Sequence, residues 1–547
     1  MTSICTEVST VGDLLLRSAQ VAPDRPCVIF PEAREDYAGL YARAVRAARG
    51  LIAIGVAPGD HVGLLMPNSL DYLGSFFGIA LIGAVAVPMN VRNKSVELGY
   101  IIANADMVAV LSSSEDTSYV DLPVVLAEAF PGLTTSSGET PLDLSNAPRL
   151  RHVIDLGGAS AISGIRSRAW FDAAADSIDA AMVESMRRAV RVRDPAMILY
   201  TSGTTANPKG CLLSHEAVTR GPVERARYRL KVPGVDVTWA AGPLFHIGSL
   251  APFIGSVGVA GTFLTDSFFD PGRAVDLLMR EKATLVWPWF SAIVQGVIDH
   301  PRFNPSAFEN LRYFFIIAPD TLVQRVQGLF PNAEILQACG MTETAGVFAL
   351  SDPDEDAPSR ATTQGKPSPG VAVRIVDPAT GEDCEPGVMG EIWVRGYCVM
   401  DGYYRNPEQT LVALGHDGWL RTGDLYIKDA LGRMLFQGRL KDMLKVGGEN
   451  VATMEVEAFL CSHPQVKFAE VVGRPDPRLD EVPVAFVEIR DAGAVTEEEL
   501  IAFCKGRIAN YKIPRAVHFM AAEEWPMSAT KVDKRALRSR LLECTLA

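Results

Sequence analysis

The stretch MILYTSGTTANPKG (residues 197–210) sets a short β-rich run, MILY, directly before a turn crowded with hydroxyls and closed by a lysine. Thr201, Ser202, Thr204 and Thr205 offer donors to phosphate oxygens. Gly203 lets the chain turn sharply, and the ammonium of Lys209 supplies a point charge. The GxxxxGK[ST] spacing of a Walker A loop is absent, so this is a phosphate loop of another kind. A hydroxyl-rich turn with one lysine also occurs as an ordinary turn, and its neighbours must decide.

Upstream, CVIF, a helical pattern from about Tyr37 to Ile54, HVGLLM, a helix after Asn68, AVAVP and VAVLS alternate as β and α. The same alternation follows the loop, through VTWAA, the run around Phe263, LRYFFII (311–317) and EILQACG (334–340). This rhythm predicts mostly parallel sheets covered by helices on both faces, an α/β body of several subdomains. Residues 371–396, with VAVRIV and GEIWVRG about a Pro- and Gly-containing turn, read as more antiparallel. DPDEDAPSR (352–360) reads as a charged surface loop. A boundary falls near residue 441: beyond it TMEVEAFLCSH, VKFAEVVG, VPVAFVEIR, a helix opening with TEEEL and AVHFM form a small α+β unit of domain size. Thr496 and Glu499 have capping-box spacing for that helix. The domains expected are therefore 1–440, a large N-terminal body, and 441–547, a small mobile C-terminal lid, with chemistry at their junction.

With 547 residues, the chain exceeds what one core supports. Its 52 Lys and Arg against 65 Asp and Glu give a formal charge of -13, and no basic patch interrupts it, which argues against a nucleic-acid partner. Nine cysteines without a CxxC pair read as reduced thiols in a cytoplasmic protein. YLGSFFGIALIGAVAVPM (72–89) is uncharged, but its glycines and its AVAVP ending read as a buried helix followed by a central strand, so no transmembrane segment is expected. The N-terminal residues lack a secretory pattern.

Five further motifs follow the loop in order: CGMTE (339–343), GEIWVRG (390–396), GWLRTGD (418–424), GRLKDMLKVGGENV (438–451) and PMSATKVDKRAL (526–537). With the loop they resemble the adenylate-forming enzymes: acyl- and aryl-CoA synthetases, luciferases and the adenylation domains of nonribosomal peptide synthetases. The resemblance spans essentially the whole chain. It implies a two-step reaction in which a carboxylate attacks the α-phosphate of ATP, giving an acyl-adenylate and pyrophosphate, before a thiol, usually that of CoA, displaces AMP.

The resemblance also implies roles. Residues 201–210 would surround the β- and γ-phosphates with Lys209 as charge partner; Cys339 and Gly340 would line the nucleotide. Thr342 would contact the AMP phosphate, and Glu343 would hold Mg2+, as oxygen ligands suit a hard cation. Asp424 would accept from the ribose hydroxyls, with Arg439 approaching the same ribose. Lys531 would be the catalytic lysine of adenylation, bridging the attacking carboxylate and the α-phosphate. The family has Gly directly before this lysine; here Thr530 stands there, the segment is one residue shorter, and Lys534 is the competing register. Lys441 matches the hinge, and Gly447 and Gly448 match the loop lining the pantetheine tunnel. His246 in PLFHIGS would shape the acyl pocket without taking part in the chemical step.

Other departures are Ala206 for a usual glycine, Ile316, Ile317, Ala318 and Pro319 in place of a glycine-rich run, and Cys339 where an aromatic is common. The expected pocket is apolar: Phe245, Ile247, Leu250, Trp287, Trp289, Phe290, Ile316, Ile317, Met341 and Val347. A fatty, alicyclic, aryl or steroid-derived acid fits it better than an amino acid, whose ammonium would be buried unpaired. The reading is an ATP- and CoA-dependent acyl-CoA ligase of fatty acid or lipid metabolism, monomer or homodimer. A carrier-protein-loading enzyme and a nucleotide-binding regulatory protein without turnover stand as alternatives.

Overall fold

A computed structural model describes residues 7–546 except 116–119, 159, 202–206, 233, 319, 447–448, 492, 494 and 529–530, and describes only the backbone at 320, 449–450, 528, 531 and 542–546. Two large sheets carry the body. In one of eight strands, Met107–Ser112, His61–Leu65, Val85–Pro88 and Pro195–Thr201 run parallel, with Lys209–Ser214 and Gly402–Tyr403 added antiparallel at one edge. In the other, of seven strands, Pro26–Ile29, Thr262–Leu264, Val237–Ala240, Leu285–Phe290, Tyr313–Ile317 and Glu334–Leu336 run parallel.

The apolar run at 72–89 forms the helix Leu70–Leu81, capped where Ser69 accepts from the Tyr72 N–H, and then the strand Val85–Pro88. From Tyr72 onward every residue of that helix is buried, because it lies between the layers. Gly78 permits the contact: a Cβ there would lie 2.8 Å from the Ala44 carbonyl of helix Tyr37–Ala53. Among the described residues no helix is long and apolar enough to cross a membrane. The seven described cysteines are free thiols, five of them buried.

Antiparallel strands Val371–Val376, Met389–Gly396, Leu420–Lys428 and Met434–Arg439 form a four-stranded sheet in that order. From residue 444 onward the chain builds cores of its own, around Val471, Val487 and Leu500 on one side of a sheet and Val472, Phe486 and Leu537 on the other. Thr496 and Glu499 form the expected capping box on Glu497–Cys504.

Two local expectations change. EILQACG is two strands in different sheets, Glu334–Leu336 and Ala338–Met341, and the switch is at Gln337. This buried amide exchanges hydrogen bonds with Ser351 through its backbone, N–H to Oγ at 3.1 Å and Oγ to carbonyl at 3.0 Å. The charged segment 352–360 is not simply a surface loop, for it leads into the helix Ala357–Thr362 and buries Arg360 against the Pro353 and Glu355 carbonyls and Glu334.

Candidate active site

Thr201 and Lys209 are antiparallel partners, so the phosphate loop is pinched at its base as a hairpin. Ser202, Gly203, Thr204, Thr205 and Ala206 lie outside the described residues. Lys209 Nζ donates to Gln409 Oε1 at 3.0 Å and stands 4.8 Å from the centre of the Tyr403 ring. The Tyr403 hydroxyl in turn donates to Glu343 Oε1 at 2.9 Å. A contact chain thus joins the loop lysine to the Glu of CGMTE. Burial, with the Glu343 charge beside it, pushes the Cys211 thiol up, so it stays a neutral spacer at this junction.

Tyr403 and Gln409 were not among the residues expected from sequence. Their signal is GYYRNPEQT (402–410): a strand that pairs with Cys211 and Leu212, then a helix, Pro407–Leu414, with Asn406 as N-cap and proline at its first position.

Thr342 and Glu343 sit on a 3-10 turn, Thr342–Thr344, that leaves the strand Ala338–Met341. Thr344 Oγ1 donates toward the Gly346 carbonyl at 2.8 Å and accepts from the Met341 N–H at 3.2 Å, closing the turn. Glu343 is buried, and its carbonyl accepts from the Met400 N–H at 2.9 Å. Gly340 is required by backbone approach, since a Cβ would lie 2.7 Å from the Gly346 carbonyl. Cys339 points its thiol into the core, where burial pushes it up to about 12 despite a hydrogen bond with Tyr426. What Cys339 presents outward is therefore main chain.

Asp424 and Arg439 face each other on paired strands, Arg439 Nε lying 3.3 Å from Asp424 Oδ1. The turn before Asp424 is braced by Glu391 of GEIWVRG, whose buried carboxylate accepts from the Gly423 N–H at 2.7 Å and from the Trp393 indole at 2.8 Å. Lys441 follows on the turn Leu440–Asp442 at the start of the C-terminal unit. Burial, then the neighbouring Arg439, pushes its ammonium down. Gly447 and Gly448 lie outside the described residues.

Lys531 lies on a two-residue strand, Lys531–Val532, paired with Met527–Ser528; its side chain is outside the described residues. Lys534 is tied down inside the C-terminal unit, donating to Thr453 Oγ1 at 3.0 Å and the Val471 carbonyl at 3.2 Å and ion-paired with Glu457 and Glu470.

On the acyl side, His246 stands at the N-cap position of the helix Ile247–Gly258 with its ring centre 4.6 Å from that of Phe245. Ile247, Leu250, Trp287 and Trp289 share one core, with Met341, Val347 and Phe290 packed at its margin. Trp287 stacks on Phe315 at 3.4 Å, and Trp289 donates to the Gly248 carbonyl at 2.6 Å from a backbone with φ +63. A tryptophan held in the left-handed region is strained, and such strain gathers at functional sites. Ile316 departs from the expected pocket. Strand alternation turns it with Phe314 into the core on the other side of the sheet, whereas Phe315 faces the pocket helix and Ile317 is 39% exposed at the strand end.

The family model of the AMP-binding enzymes matches residues 15–404, and that of the AMP-binding enzyme C-terminal domain matches 455–531. The chain is 31% identical over 551 residues to the mitochondrial medium-chain acyl-CoA ligase ACSF2 of Mus musculus, covering 97% of this chain and 88% of that one. It is 32% identical over 538 residues to the 3-[(3aS,4S,7aS)-7a-methyl-1,5-dioxo-octahydro-1H-inden-4-yl]propanoyl:CoA ligase of Mycobacterium tuberculosis, covering 97% and 99%. Among solved structures it is similar to the anthranilate CoA ligase AuaEII in complex with anthranoyl-AMP, with TM-score 0.82, 25% identity and 97% of both chains covered.

Proposed function

The chain belongs to the AMP-binding enzyme family, and we propose that, as an AMP-forming acid–thiol ligase of that family, it activates a hydrophobic monocarboxylic acid and passes it to CoA. The observation that carries the site is the contact chain Lys209–Tyr403–Glu343, which couples the phosphate loop to the CGMTE turn.

In the first step a carboxylate oxygen bonds to the α-phosphorus of ATP as the bond to pyrophosphate breaks. Lys209 would steady the outgoing phosphates, and Lys531 the charge growing between carboxylate and α-phosphate, where a fixed cation favours the transition state most. Asp424 and Arg439 would hold the ribose. Glu343, a buried carboxylate joined through Tyr403 to the loop lysine, has the donor chemistry that suits Mg2+, an ion that takes one or two carboxylates plus phosphate oxygens and would neutralise phosphate charge there. In the second step the CoA sulfur bonds to the acyl carbon and AMP leaves with the C–O bond electrons. Rotation about Lys441 would bring the CoA channel and its glycines, Gly447 and Gly448, over the adenylate.

The two relatives act on a medium-chain acid and a bicyclic propanoic acid, and the neighbouring structure on anthranilate, all with carbon-rich bodies. The apolar wall around Ile247, Leu250 and Trp289 supports the same class here. The test is kcat/KM across octanoate, benzoate, a cyclic acid, an amino acid and a dicarboxylate at fixed ATP, with CoA or a pantetheinylated carrier as acceptor. Hydrophobic monocarboxylates with CoA should lead; preference for the amino acid, the dicarboxylate or the carrier contradicts the proposal.

A further inference from the structure

Beneath the helix Ile247–Gly258 lies a cavity whose lining includes Arg225, Asp236, Thr238, Gly255, Ser256 and Trp287. Its polar groups are poorly satisfied. Ser256 and Trp287 are each 3% exposed, and Ser256 Oγ and Trp287 Nε1 have no hydrogen-bond partner among the described residues. Arg225 is 6% exposed, and its side chain's one hydrogen bond among the described residues runs from Nη1 to the Val347 carbonyl at 3.3 Å. A buried donor left unpaired costs about 1–3 kcal/mol, so several gathered around one cavity need a reason.

The backbone is irregular at the same place. Helix His215–Glu224 contains Pro222, which lacks an N–H, and runs on as a π-helical turn, Arg225–Arg229, that carries Arg225 to the cavity. Such turns are frequent at functional sites. The cavity is bordered by elements that also border the acyl side: Ala251, Gly255 and Ser256 line it from the helix Ile247–Gly258, and Trp287 from the strand Leu285–Phe290. Ser256 lies nine residues beyond Ile247, about 13 Å further along the helix axis and on its opposite face. Trp287 precedes Trp289 by two residues on the same sheet face, with ring centres 5.1 Å apart.

The chemistry of the lining selects the ligand. An indole N–H and a guanidinium only donate, and a serine hydroxyl can donate, so the lining calls for an oxygen acceptor, whose two lone pairs match the two unpaired groups, Ser256 Oγ and Trp287 Nε1. Arg225 brings a positive charge and Asp236 a carboxyl group to the same cavity. Burial pushes the Asp236 carboxyl up to about 6, and its presence beside Arg225 offsets the guanidinium charge, so the cavity does not call for an anion. We infer that this cavity is a subsite for a neutral oxygen acceptor, a ketone or similar carbonyl, carried at the end of the acid remote from its carboxylate. The inference rests on the ligase reading and adds a second polar anchor to an otherwise apolar pocket.

The experiment compares straight-chain acids of roughly eight to twelve carbons, the span the helix rise implies, with their oxo counterparts bearing the ketone next to the terminal methyl. The readout is the ratio of kcat/KM within each pair, for the intact enzyme and for Ser256→Ala and Trp287→Phe. The wild type should favour the oxo acid by at least about tenfold at one chain length, because a site built to hydrogen-bond an oxygen penalises its absence. Each substitution should bring that ratio toward one. Ser256→Ala is a minimal change that keeps the inference testable if Trp287→Phe perturbs folding. A wild-type ratio near one at every length, or a ratio the substitutions leave unmoved, overturns the subsite while leaving the ligase reading intact. If no acid is turned over, the ligase reading fails, and thermal shift with the acids alone decides the subsite. Stabilisation by the oxo acid over its plain partner, lost in Ser256→Ala, supports it; equal shifts overturn it.

Discussion

Lys534 holds its ammonium 3.1 Å from the Glu470 carboxylate, inside the core-facing side of the C-terminal unit. Burial works against the charge, but Glu457 and Glu470 outweigh it, and the lysine is raised above its ordinary value. A lysine so tied is an anchor for Lys534–Leu546 against Thr453–Cys461 rather than a mobile cation. We therefore expect Lys531→Ala to depress adenylate formation by about 10²–10³ while sparing thioester formation from supplied acyl-AMP. Lys534→Ala should instead lower the melting temperature, since breaking a buried pair costs about 3–5 kcal/mol. Separate assays of the two half-reactions, with a melting curve for each variant, check this. A folded Lys534→Ala protein with the larger adenylation defect would reverse the assignment.

Tyr403 offers a sharper division. Its hydroxyl orients Glu343 while its ring carries Lys209, so Tyr403→Phe removes one contact and keeps the other. A hydrogen bond to a carboxylate is worth about 1.5–3 kcal/mol. Tyr403→Phe should lower the adenylation rate by about tenfold and raise the Mg2+ concentration needed for half-maximal rate, and Tyr403→Ala should also raise KM for ATP. Identical profiles for the two variants would separate Tyr403 from Lys209.

At the proposed hinge, Asp442 next to Lys441 accepts from Arg538 Nη2 at 3.0 Å, tying the turn to the last helix. Proline at 441 would fix φ and restrict the backbone rotation that domain closure needs. Single-turnover pyrophosphate release should persist in Lys441→Pro while acyl-CoA accumulates at least about tenfold more slowly. Wild-type thioester formation would place the hinge elsewhere.

His215 supplies a pH dependence unrelated to catalysis. It is fully buried, its Nδ1 accepts from the Val11 N–H at 3.2 Å, and burial lowers it to about 4, with Asp194 and Asp13 opposing only in part. The unfolded chain therefore takes up this proton at a higher pH than the folded one. Stability from this group is complete above an ordinary imidazole value of about 6.5 and is lost as pH falls toward 4, by about 3 kcal/mol in all. Urea midpoints measured from pH 8 to pH 4 should fall through that window, and His215→Asn should flatten part of the slope.

The βα rhythm, the buried helix at 70–81, the antiparallel section and the C-terminal unit were legible because periodicity and capping residues act locally. The split of EILQACG was not, because Gln337 is stabilised by Ser351, fourteen residues away. Apolar character alone cannot tell Ile316 from Ile317; only the strand's course buries the first in a core and leaves the second exposed at the strand end. Ordered motifs single out Lys209, Glu343, Asp424 and Arg439 as candidates, whereas Tyr403 and Gln409 become visible only through contacts the chain makes across some 200 residues. Arg225, Ser256 and Trp287 carry no motif, and only the cavity joins them.

The central claim, activation through an acyl-adenylate before transfer to a thiol, is tested most directly by rapid quench of enzyme with labelled ATP and a hydrophobic acid, first without CoA and then after its addition. The account predicts pyrophosphate and enzyme-bound acyl-AMP in about equal amounts before CoA is added, and AMP with acyl-CoA appearing together afterwards. Formation of ADP and phosphate, or thioester without a prior adenylate, would contradict it.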